Sequence, residues 1–224
     1  MLNGETLVKT IPKTRPVETK IVIAALNGAT RLQILRILIE SQRGLTASEI
    51  SSRLKLTLPT TLMHIEQLVS AGLVKWFYSK RGKRLIKVYR VAERELNINI
   101  DLYTLSLTPS IDELDKLLKK FIDEYRKFKV LPSSPSLEEI EGILNVDRYI
   151  ALALLDYFRL SEDKIVEKLA KELETRLEER GEISLGEISK ELKVHEYWAI
   201  QVVRKLEERG NFILERGVLR RILQ

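Results

Sequence analysis

The stretch that most constrains this fold is residues 46–72, because the chain carries it twice. Shifted by 138 positions without a gap, "TASEISSRLKLTLPTTLMHIEQLVSAG" lies over "SLGEISKELKVHEYWAIQVVRKLEERG" (184–210). Seven of the 27 positions coincide: Glu49/Glu187, Ile50/Ile188, Ser51/Ser189, Leu54/Leu192, Lys55/Lys193, Leu68/Leu206 and Gly72/Gly210. Several others exchange one aliphatic residue for another, as expected of one supersecondary unit used twice. A coincidence between two generic helix-turn-helix patterns is the competing explanation. In the first copy Thr46 and Glu49 make a capping box, so a helix starts at about Ala47 and buries Ile50 and Leu54. "KLT" makes a tight turn. Thr57 then caps a further helix with Pro59 in its first turn, where the missing N–H costs nothing. Leu62, Ile65, Leu68 and Val69 line its inner side, and Gly72 suits its end.

The flanks of the first copy complete a recognisable order. Val17 to Glu40 is helical in pattern, with a break at "NGAT" (27–30) and an apolar face of Ile34, Leu35, Leu38 and Ile39. After Gly72, "LVKWFY" and "LIKVYRV" have strand character and enclose the turn "SKRGKR" (79–84). Helix, helix, tight turn, helix and β-hairpin is the winged helix-turn-helix arrangement. Its second turn-flanking helix is shaped to enter a major groove, and its hairpin reaches nearby phosphates or the minor groove. "NFILERGVLRRIL" forms a second short hairpin around Arg216–Gly217, which makes the second copy a winged helix too. The predicted class is therefore mainly α with small β-hairpins (α+β), two winged helix-turn-helix domains joined by a helical segment.

Between the copies, the pattern predicts a connector and a dimerisation helix over 96–131. Ile111, Leu114, Leu118, Phe121, Tyr125 and Phe128 recur at 3-4-3-4-3 spacing, the narrow seam of a coiled-coil pair, although such a helix can also dock on its own domain. "LPSSPS" (131–136) reads as a linker, so 132–160 is linker plus buried helices and 161–224 the second winged helix. Residues 1–16, with two prolines and no period, read as a loosely ordered basic arm before a DNA-binding domain at 17–95.

Charge separates the halves. Residues 1–95 hold 17 Lys/Arg against 7 Asp/Glu, a net of +10, whereas residues 96–224 hold 21 against 25, a net of −4. A polyanion would meet the first half. With no cysteine, disulfides, zinc fingers and thiolate chemistry are excluded. The two histidines stand 131 residues apart, and no glycine loop or nucleophile–base set is recognisable, so no catalytic residue, metal site or cofactor is expected. Without a long apolar run or a signal-like start, a cytoplasmic, nucleoid-associated location is expected. Low Asn and Gln usage suits a thermophile.

"AALNGATRLQILRIL" (24–38) resembles the opening helix of ArsR-type bacterial and archaeal repressors, and "LTLPTTLMHIEQLVSAGLVKWF" (56–77) resembles their recognition helix. The resemblance covers about residues 20–95. It implies a dimeric DNA-binding regulator in which a helix after the wing joins the dimer interface. Leu62 and Met63 stand where the family carries Ser-Arg, which removes a strong groove contact. The residues left for DNA are Thr57, Thr60, Thr61, Met63, His64 and Gln67 on the helix, with Lys80, Arg81, Lys83 and Arg84 on the wing. Trp76 and Tyr78 read as sheet packing rather than as base-stacking platforms. The second copy, with Glu196, Tyr197 and Trp198 at its helix start, reads mainly as a protein-contact module or as completing the dimer. Its rival reading for the whole chain is a tandem winged-helix scaffold in chromosome organisation, binding DNA without preference.

Overall fold

The computed structural model describes residues 8–41, 43–81 and 84–222, leaving out the side chains of Arg81 and Glu179. It divides into two units, Met1–Ser106 and Leu107–Gln224.

The first unit begins with β1 (Val8–Ile11) and continues through α1 (Pro16–Leu26) and α2 (Ala29–Glu40), which meet at 89°. α3 (Ala47–Leu54) and α4 (Leu58–Ser70) form the predicted pair around a tight turn. Then come β2 (Val74–Arg81), β3 (Arg84–Val91), β4 (Glu95–Ile98) and the short α5 (Leu102–Leu107) at the boundary. Both signals that start α3 are made: Thr46 Oγ1 accepts from the Glu49 N–H at 3.2 Å, and Glu49 Oε2 accepts from the Thr46 N–H at 2.7 Å. Lys55 ends that helix in the left-handed region (φ 55°), and Gly72 turns the chain out of α4 at φ 64°. The core joins Ile34, Leu38, Ile50, Ile65 and Leu68 of the helices to Val74 and Tyr89 of the hairpin. Among the described residues no single helix is long and apolar enough to cross a membrane.

Three features of the fold differ from expectation. From Val8 onward the basic arm is ordered: β1 pairs in parallel with β4 and buries Ile11 fully, while residues 1–7 lie outside the described residues. Lys9 anchors it, donating to the Ala71 carbonyl at the end of α4 (3.1 Å) and pairing with buried Glu18 (2.8 Å). Burial pushes the Glu18 carboxyl up, but hydrogen bonds from Lys9 and Arg15 and their charges outweigh it and hold the pKa below the ordinary carboxylate value.

In the second unit α6 (Ile111–Phe128), α7 (Leu137–Leu144), α8 (Arg148–Leu160) and α9 (Glu162–Arg180) precede β5 (Glu182–Ser184), α10 (Leu185–Glu191), α11 (Glu196–Glu208), β6 (Phe212–Glu215) and β7 (Val218–Arg221). The strands form one sheet in the order β5-β7-β6. Here the proposed dimerisation seam is corrected. Leu114, Leu118, Phe121 and Tyr125 are buried inside this unit, and only Ile111 and Phe128, at the two ends of α6, are exposed. Ile122 is buried as well, so the apolar face is wider than a coiled-coil seam, wide enough for a core. Phe121 meets Phe158 of α8 edge-to-face, and Arg126 makes a fork to Glu172 of α9 (2.8 and 3.1 Å). Asp115 takes hydrogen bonds from Tyr157 (2.6 Å) and Lys164 (2.8 Å). The predicted linker is likewise built in. Leu131 is fully buried and exchanges backbone hydrogen bonds with Lys193 and His195 (2.9 Å each), and the Pro132 carbonyl accepts from the Trp198 indole (2.8 Å).

The repeat reappears as conformation. Ser184 and Glu187 rebuild the capping box, Lys193 is left-handed like Lys55, and Gly210 like Gly72. Leu45 bridges Tyr89 of β3 just as Ile183, 138 positions later, pairs with Leu219 of β7.

Candidate nucleic-acid interface

The start of α4 is open. Thr57 is exposed, and its hydroxyl caps the helix by accepting from the Thr60 N–H (3.3 Å) while lying 2.8 Å from the Thr60 hydroxyl. Both hydroxyls stay within reach of an incoming phosphate or base edge. Thr61 is removed from the predicted set: it is fully buried, and its hydroxyl is spent on the Thr57 carbonyl at 2.9 Å. Its place on the helix, one position beyond Thr60, turns it 100° inward. Met63 is exposed. His64 is half-buried, with Nδ1 enclosed and without a hydrogen-bond partner among the described residues.

Gln67 is exposed but engaged. It accepts from Arg31 Nη1 at 2.6 Å, and the same guanidinium donates to the carbonyls of Ala25 (2.5 Å) and Ala24 (2.9 Å). Arg31 thus caps the end of α1 and brings a cation to the outer side of α4. Sequence reasoning missed this residue. The signal that could have found it is Gly28 three positions earlier, where a Cβ would meet the guanidinium at 2.5 Å. Met63 and Gln67 also line a cleft of about 430 Å³ with Ile21 and Ala24 of α1.

On the hairpin, Lys80 and Arg84 are exposed. Lys83 lies outside the described residues, as does the side chain of Arg81. No acidic residue occurs from Lys75 to Arg90, and among the described residues the hairpin root carries a loose ion pair, Lys75 with Glu93 at 3.7 Å. The expectation that Trp76 and Tyr78 pack in the sheet is overturned: they are 46% and 60% exposed. Strand alternation puts Phe77, Ser79 and Ile86 on the other face, where they stay half-buried, while the face with Trp76 and Tyr78 opens to solvent beyond the buried Tyr89.

The corresponding surface of the second copy is closed. Trp198, at the position matching Thr60, is 1% exposed, stacked edge-to-face on Phe158 and bonded to the Pro132 carbonyl. Tyr197 donates to Glu162 of α9, and Arg209 pairs with Glu167 and Glu174 of the same helix (2.8 and 2.6 Å). His195 takes the capping role of Thr57, its Nδ1 accepting from the Tyr197 N–H at 3.2 Å.

No curated protein matches the chain. A solved fragment (residues 1–100) of a possible transcriptional regulatory protein from Mycobacterium bovis is 30% identical over 34% of this chain and 75% of its own, with a TM-score of 0.29. The family model of the helix-turn-helix domain matches residues 26–75, from the last residue of α1 into β2, so this span is a helix-turn-helix domain.

Proposed function

We propose that the chain is a DNA-binding transcriptional regulator of winged-helix, ArsR-like type. The observation that carries the reading is the pairing of a helix-turn-helix domain at 26–75 with a projecting, acid-free hairpin directly after it. α4 enters the major groove with Thr57, Thr60 and Met63 foremost, while Lys80 and Arg84 of the wing, with Arg81 and Lys83 of the same turn, neutralise phosphates. Arg31 supplies the cation that the helix itself lacks. No Asp or Glu occurs in the hairpin sequence from Lys75 to Arg90 to neutralise the wing's charge. His64 supports the helix more than it reads bases, since its ring is half-covered.

The second copy is a second winged helix whose helix start is sealed, and that sealing, with the acidic balance of residues 96–224, favours protein contact over DNA for this unit. Homodimerisation is part of the proposal, carried by the exposed apolar Ile23 and Leu32 of α1 and α2 rather than by α6. A two-fold pair would set the two α4 helices ~34 Å apart on a pseudo-palindrome. The test is a competition assay at physiological salt. A regulator prefers fragments enriched from its own genome over random DNA by on the order of 10³ or more. Equal affinity for both leaves the scaffold reading.

A further inference from the structure

The face of the hairpin that carries Trp76 is unlike an ordinary wing. In the β2–β3 register Trp76, Tyr78 and Lys80 stand opposite Tyr89, Lys87 and Leu85, so these six share one side of the ribbon. Tyr89 is buried at the root. The other five are exposed, including Leu85 at 67%. The Trp76 and Tyr78 rings are 5.7 Å apart, edge-to-face at 77°, and the Lys87 ammonium lies 4.3 Å from the centre of the Trp76 ring. Among the described residues neither the Trp76 indole N–H nor the Tyr78 phenol has a hydrogen-bond partner. Two partly exposed rings flanked by Lys80 and Lys87, on a strand pair without a carboxylate, form a contiguous aromatic and cationic patch of the kind that marks a binding surface.

We propose that this face binds single-stranded nucleic acid by stacking unpaired bases on Trp76 and Tyr78, with Lys80 and Lys87 on the backbone. The inference rests on reading the hairpin as a nucleic-acid contact, and it names the form of the ligand. Aromatic rings interleaved with cations are the elements that hold unpaired strands, because every base offers a π-face regardless of sequence. A duplex keeps those faces inside its own stack and offers only edges and phosphates, for which exposed rings have little use. The cation–π contact shows how the site is held ready. Lys87 covers the indole in the free protein, and on binding its ammonium moves to a phosphate while a base takes the ring. The cationic hairpin would repel a basic protein segment and attracts a polyanion instead. The second hairpin has no exposed aromatic at all, so the feature is not a by-product of the repeated architecture.

The chain reports on this site itself. It has two tryptophans, and the other, Trp198, is buried, so strand-induced changes in indole emission belong to Trp76. The full-length protein is titrated with a short oligo(dT) and separately with a duplex of the same length, at low salt. We expect oligo(dT) to quench and shift the emission and the duplex to leave it nearly unchanged. Trp76→Leu and Tyr78→Leu each weaken oligo(dT) binding about tenfold or more, Trp76→Phe keeps it within a few fold, and all three leave duplex affinity within about twofold. Both Leu variants keep an apolar contact without a ring, and their melting temperatures check that folding is intact. The proposal is overturned if oligo(dT) leaves the emission unchanged, if the Leu variants bind it as well as the wild type, or if the duplex perturbs Trp76 as strongly. Duplex binding that persists in those cases leaves the regulator reading standing, and loss of binding to both ligands removes it too.

Discussion

Positions 60 and 198 are the same position in two copies of one motif, yet they do opposite work. Around them the copies agree closely: a capping box, a left-handed lysine after the first helix, a left-handed glycine after the second, and a bridging residue beside the hairpin. At the helix start they part. Thr60 leaves α4 open beside a cationic hairpin, whereas Trp198 closes α11 against Phe158 and the Pro132 carbonyl. The lesson is that caps and turns specify the architecture, and the few residues left outside them specify what the surface can touch. Shared architecture therefore says little about shared binding.

The comparison is broken most directly at that pair. Trp198→Ala should cost about 3–5 kcal/mol of stability by removing a buried indole, and Thr60→Ala less than about 1, both read from denaturant unfolding. Comparable costs would mean that α4 is as sealed as α11. Next in size is charge. Replacing Lys80, Arg81, Lys83 and Arg84 by Ala should weaken duplex binding about a hundredfold and flatten the slope of log affinity against log salt by about 3.6. Replacing Arg216, Arg220 and Arg221 of the second hairpin should change affinity less than about twofold, and a larger loss would give the second copy a DNA role.

Smaller effects come from the paired glycines. Gly210→Ala should cost about 1 kcal/mol, the penalty of a left-handed alanine in open space. Gly72→Ala should cost about 2, because its Cβ would also meet the Lys9 ammonium at 2.8 Å and disturb the anchor of β1. Thermal melts would rank the two, and an inverted order would contradict the described place of β1.

The smallest effects are those of pH, and they differ in sign between units. Glu18 is held below its ordinary pKa, so its contribution is complete above the usual carboxylate range and is lost as pH falls through the folded value. Glu18→Gln should remove that acid sensitivity. In the second unit burial, and then the hydrogen bond to Glu139, pushes Tyr125 up to about 12. Its contribution is complete below the ordinary value of 10.0 and is lost as pH rises toward 12, and Tyr125→Phe should abolish that alkaline loss.

The helices and turns of both copies were legible because their signals are local. Thr46 with Glu49, Thr57 before Pro59, and Gly72 each act within a few residues of themselves. The open surface of Thr57, Met63, Lys80 and Arg84 followed from helix and strand periods. What was not legible depended on partners distant in sequence. The α6 stripe has the same spacing whether a second copy or α8 fills it, and only Phe121 against Phe158 decides. Likewise "LPSSPS" has the composition of a loop, and nothing within it announces that Leu131 will pair with a strand-like segment more than sixty residues on. Val8–Ile11 needed β4 to become a strand. Trp76 and Tyr78 were misjudged for a different reason: alternation tells which residues share a face, not how far the ribbon extends past its support.

The docking of Leu131 and Pro132 bears on how this gene can be divided. A cut at the proline–serine stretch, where composition invites it, would strip a lid from the downstream half and bare the Trp198 ring to water. A cut near residue 106 would spare both hydrophobic interiors. Any recombination that has shuffled these halves in nature should have left its scar there and kept the lid with the helix beneath it.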